Sequence, residues 1–190
     1  GTKTTAIAER MQDSGTVLAI DKHTGRLGLV ARATRRLGLE SIRTLARDAT
    51  LSLDDLLEGS ISLPNGAFDR ILVDAPCTGL GTLRRHPDAR WRIQPEDCHE
   101  LQTLQLALLE RSATVLRPGG VLVYSTCTLR PDENENLVQR FLKQNPNFRM
   151  VSTETLPATL APVLDPEGFL RCLPQIHDTD GFFAARMERT

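Results

Sequence analysis

Hydrophobic and polar positions along the chain follow two periods, one typical of buried strands and one typical of amphipathic helices. Four apolar runs predict strands: TVLAID, SIRTLARDA, FDRILVDAP and RPGGVLVYSTCTL. Four segments with apolar residues at helical spacing predict helices: TKTTAIAERM, RLGLVARATRRLGL, PEDCHELQTLQLALLERSATVL and PDENENLVQRFLKQNP. Strands that alternate with helices predict an α/β fold, with a mostly parallel sheet covered on both faces.

The C-terminal part of the chain follows a different pattern, because it is rich in proline and carries two short β-prone pieces, GFLRCL and GFFAARM. We expect these pieces to pair as an antiparallel hairpin at one edge of the sheet. The stretch 51–67 predicts a connection with one helical turn. No repeat, low-complexity tract or clear linker interrupts the chain, so we expect residues 1–190 to form one domain.

Composition narrows the class of protein. The chain has 190 residues, of which 40% are hydrophobic and 25% charged, a balance typical of globular proteins that need no disulfide or metal to build a core. The net charge is −1, so affinity for nucleic acid has to come from a local basic patch. No apolar run reaches the length of a membrane span and no leader is visible. We therefore expect a cytoplasmic protein.

Three predicted strands end in or near an acid, at Asp21, Asp48 and Asp74. In a parallel sheet, ligands bind beyond the carboxyl ends of the strands. Asp21 stands where nucleotide-binding folds place an acid that accepts hydrogen bonds from a ribose diol. It is an equally good N-cap for the helix that follows, and the residues alone leave both interpretations open.

Two of the four cysteines, Cys77 and Cys127, directly follow apolar runs. Neighbouring strands would bring both to the same edge of the sheet, where a thiolate can act as a nucleophile once its pKa is lowered. The alternative is a pair of core cysteines or a disulfide. Cys98 and Cys172 are expected to be small hydrophobic residues, and the absence of a CxxC pair argues against a zinc site.

The stretch LRRHPDARWR places Arg84, Arg85, His86 and Arg90 beside the single tryptophan, Trp91. Positive charge next to an aromatic ring suits a phosphate backbone and an unstacked base. The same charges would provide the field that lowers the pKa of a nearby thiol. The alternative is a solvated loop with its tryptophan in the core.

Two longer motifs resemble a known family. DAPCTGLGTLRRHPDARW and YSTCTLRPDENE are similar to the two signature motifs of the RsmB/NSUN-type RNA cytosine-5 methyltransferases. GTKTT resembles the end of that family's cofactor loop, and DGFFAARMER resembles its closing strand. The resemblance covers nearly the whole chain, and the RRHPD variant is most similar to the bacterial 16S rRNA branch.

The resemblance implies a Rossmann-like fold that uses S-adenosyl-L-methionine. The family places one more strand and most of the cofactor loop before Gly1, and RNA-binding modules before those. We therefore expect a catalytic domain without its first strand, and weaker RNA binding than in an intact enzyme. The residues implied to bind the cofactor are Gly1, Lys3, Asp21, Asp48 and Asp74.

The resemblance implies a reaction that methylates carbon 5 of a cytosine. The RRHPD variant of the motif indicates 16S rRNA as the substrate. By resemblance Cys127 is the nucleophile that attacks carbon 6, Cys77 assists release of the product, and Asp74 pairs with the ring nitrogen; the residues alone leave the two cysteines interchangeable. Arg84, Arg85, His86 and Arg90 are expected to bind RNA. We expect a monomer with no metal and no membrane contact. The alternatives are a tRNA substrate, a non-catalytic RNA-binding relative, or a thiol-redox protein that lacks the usual CxxC.

Overall fold

The computed structural model describes residues 1–56 and 67–190. The backbone packs as two compact units, Gly1–Leu51 and Ser52–Thr190. The predicted connection 51–67 falls only partly within the described residues. Its helical turn is present as a 3-10 turn at Asp54–Leu56, and the rest of the prediction lies outside the described residues. One functional domain over the whole chain stays a prediction.

The first unit alternates helices and strands as predicted. Its elements are α1 (Thr2–Arg10), β1 (Val17–Asp21), α2 (Thr24–Leu37) and β2 (Ile42–Ala46). The two strands pair in parallel. Helix α2 ends at Gly38, which adopts φ 67°, a left-handed conformation that glycine tolerates without strain. A small core of Ala8, Val30 and Ile42 holds the helices on the strands.

The second unit holds the longer sheet and most of the core. Its elements are β3 (Phe68–Asp74), α3 (Ala89–Arg92), α4 (Pro95–Thr114), β4 (Leu116–Thr126), α5 (Glu135–Gln144), β5 (Phe148–Met150), β6 (Leu170–Cys172), α6 (Pro174–His177) and β7 (Phe182–Arg189). The strand order is β3-β4-β7-β5, and β6 also pairs with β7. Strands β3 and β4 are parallel, whereas β7 is antiparallel to β4, β5 and β6. The α/β class is confirmed.

The C-terminal hairpin forms, but its position in the sheet differs from the prediction. Strands β6 and β7 pair antiparallel as expected. However, β7 lies between β4 and β5 and is an interior strand. The reason is visible in its side chains: Phe183, Ala185 and Met187 are buried on one face, and the alternate residues are half-buried. A strand covered on both faces is more stable inside a sheet than at its edge.

Helix α5 begins later than its acidic sequence predicted. Residues Pro131–Glu133 form a separate 3-10 turn, and Asn134 leaves the helical conformation with φ −119° and ψ −108°. Its side chain explains the break, since Asn134 Nδ2 donates to the Thr128 carbonyl at 3.0 Å and Oδ1 accepts from Thr126 Oγ1 at 2.6 Å. These tertiary bonds outweigh the helical preference of the acidic stretch.

The core of this unit lies between the sheet and helices α4 and α5, and includes Leu109, Leu122, Tyr124 and Phe141. Helix α4 begins at Pro95, a residue favoured in the first turn, after a capping box between Gln94 and Asp97. Among the described residues, no helix has the length and apolar character needed to cross a membrane. The packed core gives the ends of β3 and β4 a rigid support.

Candidate active site

The ends of β3 and β4 bring two cysteines into contact. Asp74 pairs with Ser125 in the parallel register, so the residues that follow the two strands emerge side by side. Cys77 Sγ lies 3.4 Å from Cys127 Sγ. This is the juxtaposition that the sequence predicted. Neither cysteine forms a disulfide and both are half-buried, so the disulfide alternative is not what the structure shows.

The environment of Cys77 favours its protonated form. The hydrogen bond with the Cys127 sulfur raises the pKa of the Cys77 thiol far above its ordinary value, and burial adds to the shift. The Cys127 backbone N–H, which donates to Cys77 Sγ at 3.4 Å, acts in the opposite direction. The sequence predicted a lowered thiol pKa from nearby arginines. For Cys77 the direction of the pKa shift is the reverse, because the hydrogen bond with a second sulfur has the largest effect.

The raised pKa of Cys77 predicts that this cysteine is alkylated slowly. At about pH 8, where an ordinary thiol is partly ionised, we expect iodoacetamide to modify Cys77 about ten times more slowly than an unperturbed cysteine. In Cys127→Ala the main cause of the raised pKa is gone, so the alkylation profile of Cys77 moves to lower pH. Peptide mass mapping across a pH series measures both rates. An unchanged profile in the variant would contradict the assigned cause.

Asp74 is the last residue of β3 and stands at the same end of the sheet as the two sulfurs. Its carboxylate is exposed, and Oδ1 accepts a hydrogen bond from Ser125 Oγ at 3.2 Å. The backbone beyond it is held to β4, since Ala75 N–H donates to the Ser125 carbonyl at 2.9 Å. The acid is therefore fixed in place and open to a ligand.

A cleft of about 510 Å³ opens beside Cys77. One wall is the loop that carries Cys77 and Thr78, and the other is formed by the first half of α4 and by Ile93, which precedes it. The lining residues from that second wall are Ile93, Asp97, Glu100, Leu101 and Leu104. This volume and its mixture of apolar and polar side chains suit a small organic ligand.

The sequence did not identify Glu133 as part of the site. Its carboxylate is fully buried and accepts a hydrogen bond from the backbone N–H of Thr78, the residue after Cys77, at 2.9 Å. The only signal was its place in the acidic run PDENE, a pattern that predicts the first turn of a helix. Glu133 could have been identified as an acid that lies shortly after a cysteine motif and is not needed to cap a helix.

Two predicted RNA-binding arginines are paired with acids. Arg84 Nη1 lies 2.7 Å from Asp178 Oδ1, and Arg85 Nε lies 3.0 Å from Asp180 Oδ2. Both guanidinium groups remain largely exposed, with side chains 62% and 72% accessible. Surface pairs of this kind hold their partners weakly, so each arginine remains available to a phosphate.

The remainder of the basic loop is open to solvent. The guanidinium carbon of Arg90 lies 5.0 Å from the centre of the Trp91 ring. Trp91 is 75% exposed, so the alternative that this ring belongs to the core is wrong. His86 is also exposed. The loop presents a cation, an aromatic face and an imidazole on one short segment.

In the first unit, Asp21 ends β1 as predicted. Its Oδ1 accepts from the His23 backbone N–H at 2.8 Å, and Oδ2 lies 3.6 Å from Arg26 Nη1. The N-cap of α2 is His23, so the N-cap alternative for Asp21 is wrong. The carboxylate, 27% exposed, remains accessible at the carboxyl end of its strand.

Asp48 lies two residues beyond β2. The Thr50 hydroxyl and backbone N–H donate to its Oδ1 at 2.6 and 2.9 Å, and these bonds lower the pKa of the carboxyl, the hydroxyl having the larger effect. Gly1 precedes α1, where an added Cβ would lie 3.0 Å from Val30 Cγ2. Lys3 lies in the first turn of that helix.

The other cysteines have structural surroundings. Cys98 is buried in α4 and its Sγ lies 3.7 Å from the Gln94 carbonyl, as expected of a small core residue. Cys172 is half-buried in β6. In the part of the chain that the structure describes, no three histidine, cysteine or acidic side chains form a group suited to a metal ion.

Comparison with known proteins gives a consistent answer. A family model described as 16S rRNA methyltransferase RsmB/F matches residues 1–188. The chain is 42% identical to "Probable ribosomal RNA small subunit methyltransferase B" of Synechocystis sp., covering 100% of this chain and 41% of the relative. It is 38% identical to "Ribosomal RNA small subunit methyltransferase F" of Klebsiella pneumoniae, covering 100% of this chain and 38% of the relative.

Solved structures agree with the sequence matches. A methyltransferase homologue from Pyrococcus horikoshii superposes with a TM-score of 0.75 at 33% identity, covering 99% of this chain and 58% of its own. NSun6 from the same organism, solved with SFG, gives a TM-score of 0.79 at 30% identity, covering 98% and 44%. The predicted Rossmann-like methyltransferase fold is confirmed. The chain spans about two fifths of the length of the curated relatives that it matches.

Proposed function

Because the chain belongs to the RsmB/F family of 16S rRNA methyltransferases, we propose that it forms the catalytic part of an enzyme that methylates carbon 5 of a cytosine in RNA. One observation carries the proposal: Cys77 and Cys127 lie 3.4 Å apart at the carboxyl end of β3 and β4, beside an exposed acid. Two sulfurs at one site allow a covalent adduct to be made and then released.

S-adenosyl-L-methionine is the cofactor of this family, as the sequence predicted. The residues present fit it, because Asp21 and Asp48 offer half-exposed carboxylates at or just beyond the carboxyl ends of β1 and β2. Carboxylates there accept hydrogen bonds from ribose hydroxyls and amines. We propose Gly1, Lys3 and Asp74 as further contacts. When bound, the cofactor supplies an electrophilic methyl group on a sulfonium sulfur.

The first step needs a nucleophile, because carbon 5 of cytosine is unreactive by itself. We assign this role to Cys127. The assignment follows the family resemblance, and the geometry supports it, because the Cys77 sulfur lies 3.4 Å from the Cys127 sulfur and its S–H can donate to a thiolate there. The Cys127 thiolate forms a bond to carbon 6 while the double bond between carbons 5 and 6 opens, and the displaced electron pair moves toward the ring nitrogen. We propose that the carboxyl group of Asp74, in its protonated form, donates the proton that this nitrogen accepts. Carbon 5 then behaves as an enamine carbon and accepts the methyl group.

The second step releases the product. After methylation carbon 5 carries both a methyl group and a hydrogen, and a base removes that proton while the bond between Cys127 and carbon 6 breaks. The electron pair of that bond returns to the Cys127 sulfur. The Cys77 S–H lies 3.4 Å from this sulfur and stabilises the departing thiolate by a hydrogen bond. This is how Cys77 would assist release.

The target base must leave its stack to reach the sulfurs, which costs a few kcal/mol in a duplex and less in a loop. The cleft of about 510 Å³ beside Cys77 is large enough to receive a pyrimidine. We propose that Arg84, Arg85, His86 and Arg90 hold the RNA next to it. A monomeric state and a cytoplasmic location stay predictions.

The arginines make this RNA contact testable. In the full-length protein, Arg84→Gln and Arg85→Gln should each weaken RNA binding about threefold and reduce the slope of log K against log salt by about one, as expected for one lost phosphate contact. Arg149→Gln is the matched control, because Arg149 also pairs with an acid and is 69% exposed, but lies on β5. Fluorescence anisotropy over a salt series measures both quantities. Equal losses in all three variants would contradict the assignment.

The proposed reaction is tested by the nucleoside that becomes labelled. The full-length protein is incubated with tritiated S-adenosyl-L-methionine and either unmethylated 16S rRNA or unmethylated tRNA, in separate reactions, and the RNA is digested to nucleosides. We expect the label in 5-methylcytidine. Label in another nucleoside would overturn the carbon-5 assignment, label only with tRNA would change the substrate, and RNA binding without label would indicate a non-catalytic relative.

A further inference from the structure

Glu133 is a carboxylate with no exposed surface, between the loops that carry the two cysteines. Its Oε2 accepts from Thr78 N–H at 2.9 Å and from Gln105 Nε2 at 3.3 Å, and its Oε1 accepts from Thr78 Oγ1 at 2.7 Å. Its backbone carbonyl accepts from Tyr124 OH at 2.7 Å. These partners are neutral donors, so the buried carboxylate is compensated by hydrogen bonds.

The hydrogen bonds of Glu133 extend to the residues that follow the two cysteines. Thr78 follows Cys77 and Thr128 follows Cys127. The two threonine hydroxyls are 2.8 Å apart and fully or nearly buried. A hydrogen bond between two sulfurs is weak, whereas hydrogen bonds to an ionised acceptor are the stronger class. The separation of the cysteines is therefore set by the network behind them.

The other side of Cys77 is held by the same group of residues. Gln105, fully buried in α4, donates from Nε2 both to the Pro76 carbonyl at 2.8 Å and to Glu133 Oε2. Pro76 directly precedes Cys77 and Thr78 directly follows it. The backbone of Cys77 is thus restrained on both sides by contacts that meet at one carboxylate.

We propose that Glu133 is a positioning residue that holds Cys77 at working distance from Cys127. This inference rests on the proposed function for its catalytic consequence, but the geometry it predicts is independent of any reaction. Loss of the carboxylate leaves the donors of Thr78 and Gln105 buried without their acceptor. We expect the loop to move, and with it one sulfur of the pair.

The separation of the sulfurs can be measured without RNA or cofactor. Phenylarsine oxide binds tightly only when two thiols reach one arsenic atom, so its affinity depends on their effective concentration. In the full-length protein we expect Glu133→Ala to weaken this binding about tenfold or more. Glu133→Gln should stay within about threefold of the wild type, because the amide oxygen can replace Oε2 and the Thr78 hydroxyl can accept from the amide group.

Glu135→Ala is the matched control. Glu135 lies two residues further along and is 17% exposed, and its carboxylate pairs with Arg171 at 3.2 Å rather than with either cysteine loop. We expect its arsenical affinity and methyl transfer to equal those of the wild type. If Glu133→Ala does not fold, as judged by its thermal melting curve, Thr78→Val removes the hydroxyl bonds to Glu133 and Thr128, keeps the backbone bond to Glu133, and should weaken arsenical binding by about threefold.

Methyl transfer provides the second measurement. For Glu133→Ala we expect kcat to fall about 100-fold while KM for RNA stays within about threefold, as for a displaced catalytic group. Wild-type arsenical affinity in folded Glu133→Ala and Thr78→Val would overturn the positioning role, even if the enzyme methylates cytosine. Absence of 5-methylcytidine with the wild type, together with the expected arsenical losses, would instead overturn the proposed function and leave the geometric inference intact.

Discussion

Replacing Cys77 with alanine should stop turnover and leave the full-length protein covalently attached to its RNA. In Cys77→Ala the nucleophile Cys127 can still form its bond to carbon 6. The S–H that lies 3.4 Å from the Cys127 sulfur is missing, so the departing thiolate loses its hydrogen bond and release is slowed. A denaturing gel with labelled RNA detects the adduct as a band that survives heating.

The complementary variant should lose the chemistry altogether. In Cys127→Ala we expect methyl transfer to fall by about 10⁴-fold or more, the effect typical of removing a covalent nucleophile, and no adduct to form. The double variant Cys77→Ala/Cys127→Ala should also give none. Cys172→Ser is the control, because this cysteine is free and half-buried in β6. An adduct from Cys127→Ala alone would reverse the two roles.

Gly81→Ala should unfold the active-site loop and lower the free energy of unfolding by about 3 kcal/mol or more, the upper range for overpacking. An added Cβ would clash with the Gly181 carbonyl oxygen and lie 2.7 Å from the Cys127 carbonyl oxygen. Both atoms belong to the backbone and cannot rotate away. Gly81 N–H also donates to the Cys127 carbonyl at 2.9 Å, and Gly181 N–H donates to the Gly81 carbonyl at 2.7 Å.

Urea denaturation of the full-length protein measures this effect. Gly28→Ala is the matched control, since Gly28 lies inside α2 and an added Cβ there would meet no atom within 4 Å. We expect that change to stabilise the protein by about 0.5–1 kcal/mol through helix propensity. If the urea midpoint of Gly81→Ala equalled that of the wild type, the segments around Gly81, Cys127 and Gly181 would not pack as described.

Local sequence patterns predicted most of the helices and strands. The spacing of apolar residues and the residues that end helices are visible within a few positions of the chain. The end of α2 at Gly38 and the run of β3 to Asp74 are examples. The two cysteine motifs also identified the family, and adjacent parallel strands predicted that Cys77 and Cys127 would meet. All of these inferences depend on short stretches of sequence or on simple strand pairing.

Other features were decided only by the tertiary structure. The acidic run before α5 looked like a helical turn, but bonds from Asn134 to the 126–128 segment broke the helix. Strand β7 lies between β4 and β5, and its own sequence could not show this position, because those partners lie far away along the chain.

At the site itself, the sequence alone predicted the residues that we propose for the chemistry: two cysteines and an acid at the ends of strands. The raised pKa of Cys77 and the burial of Glu133 depend on partners 50 and 55 residues away. Hydrogen bonds and burial across such separations arise only when the chain is folded, which is why the state of each group could not be predicted from its neighbours in sequence.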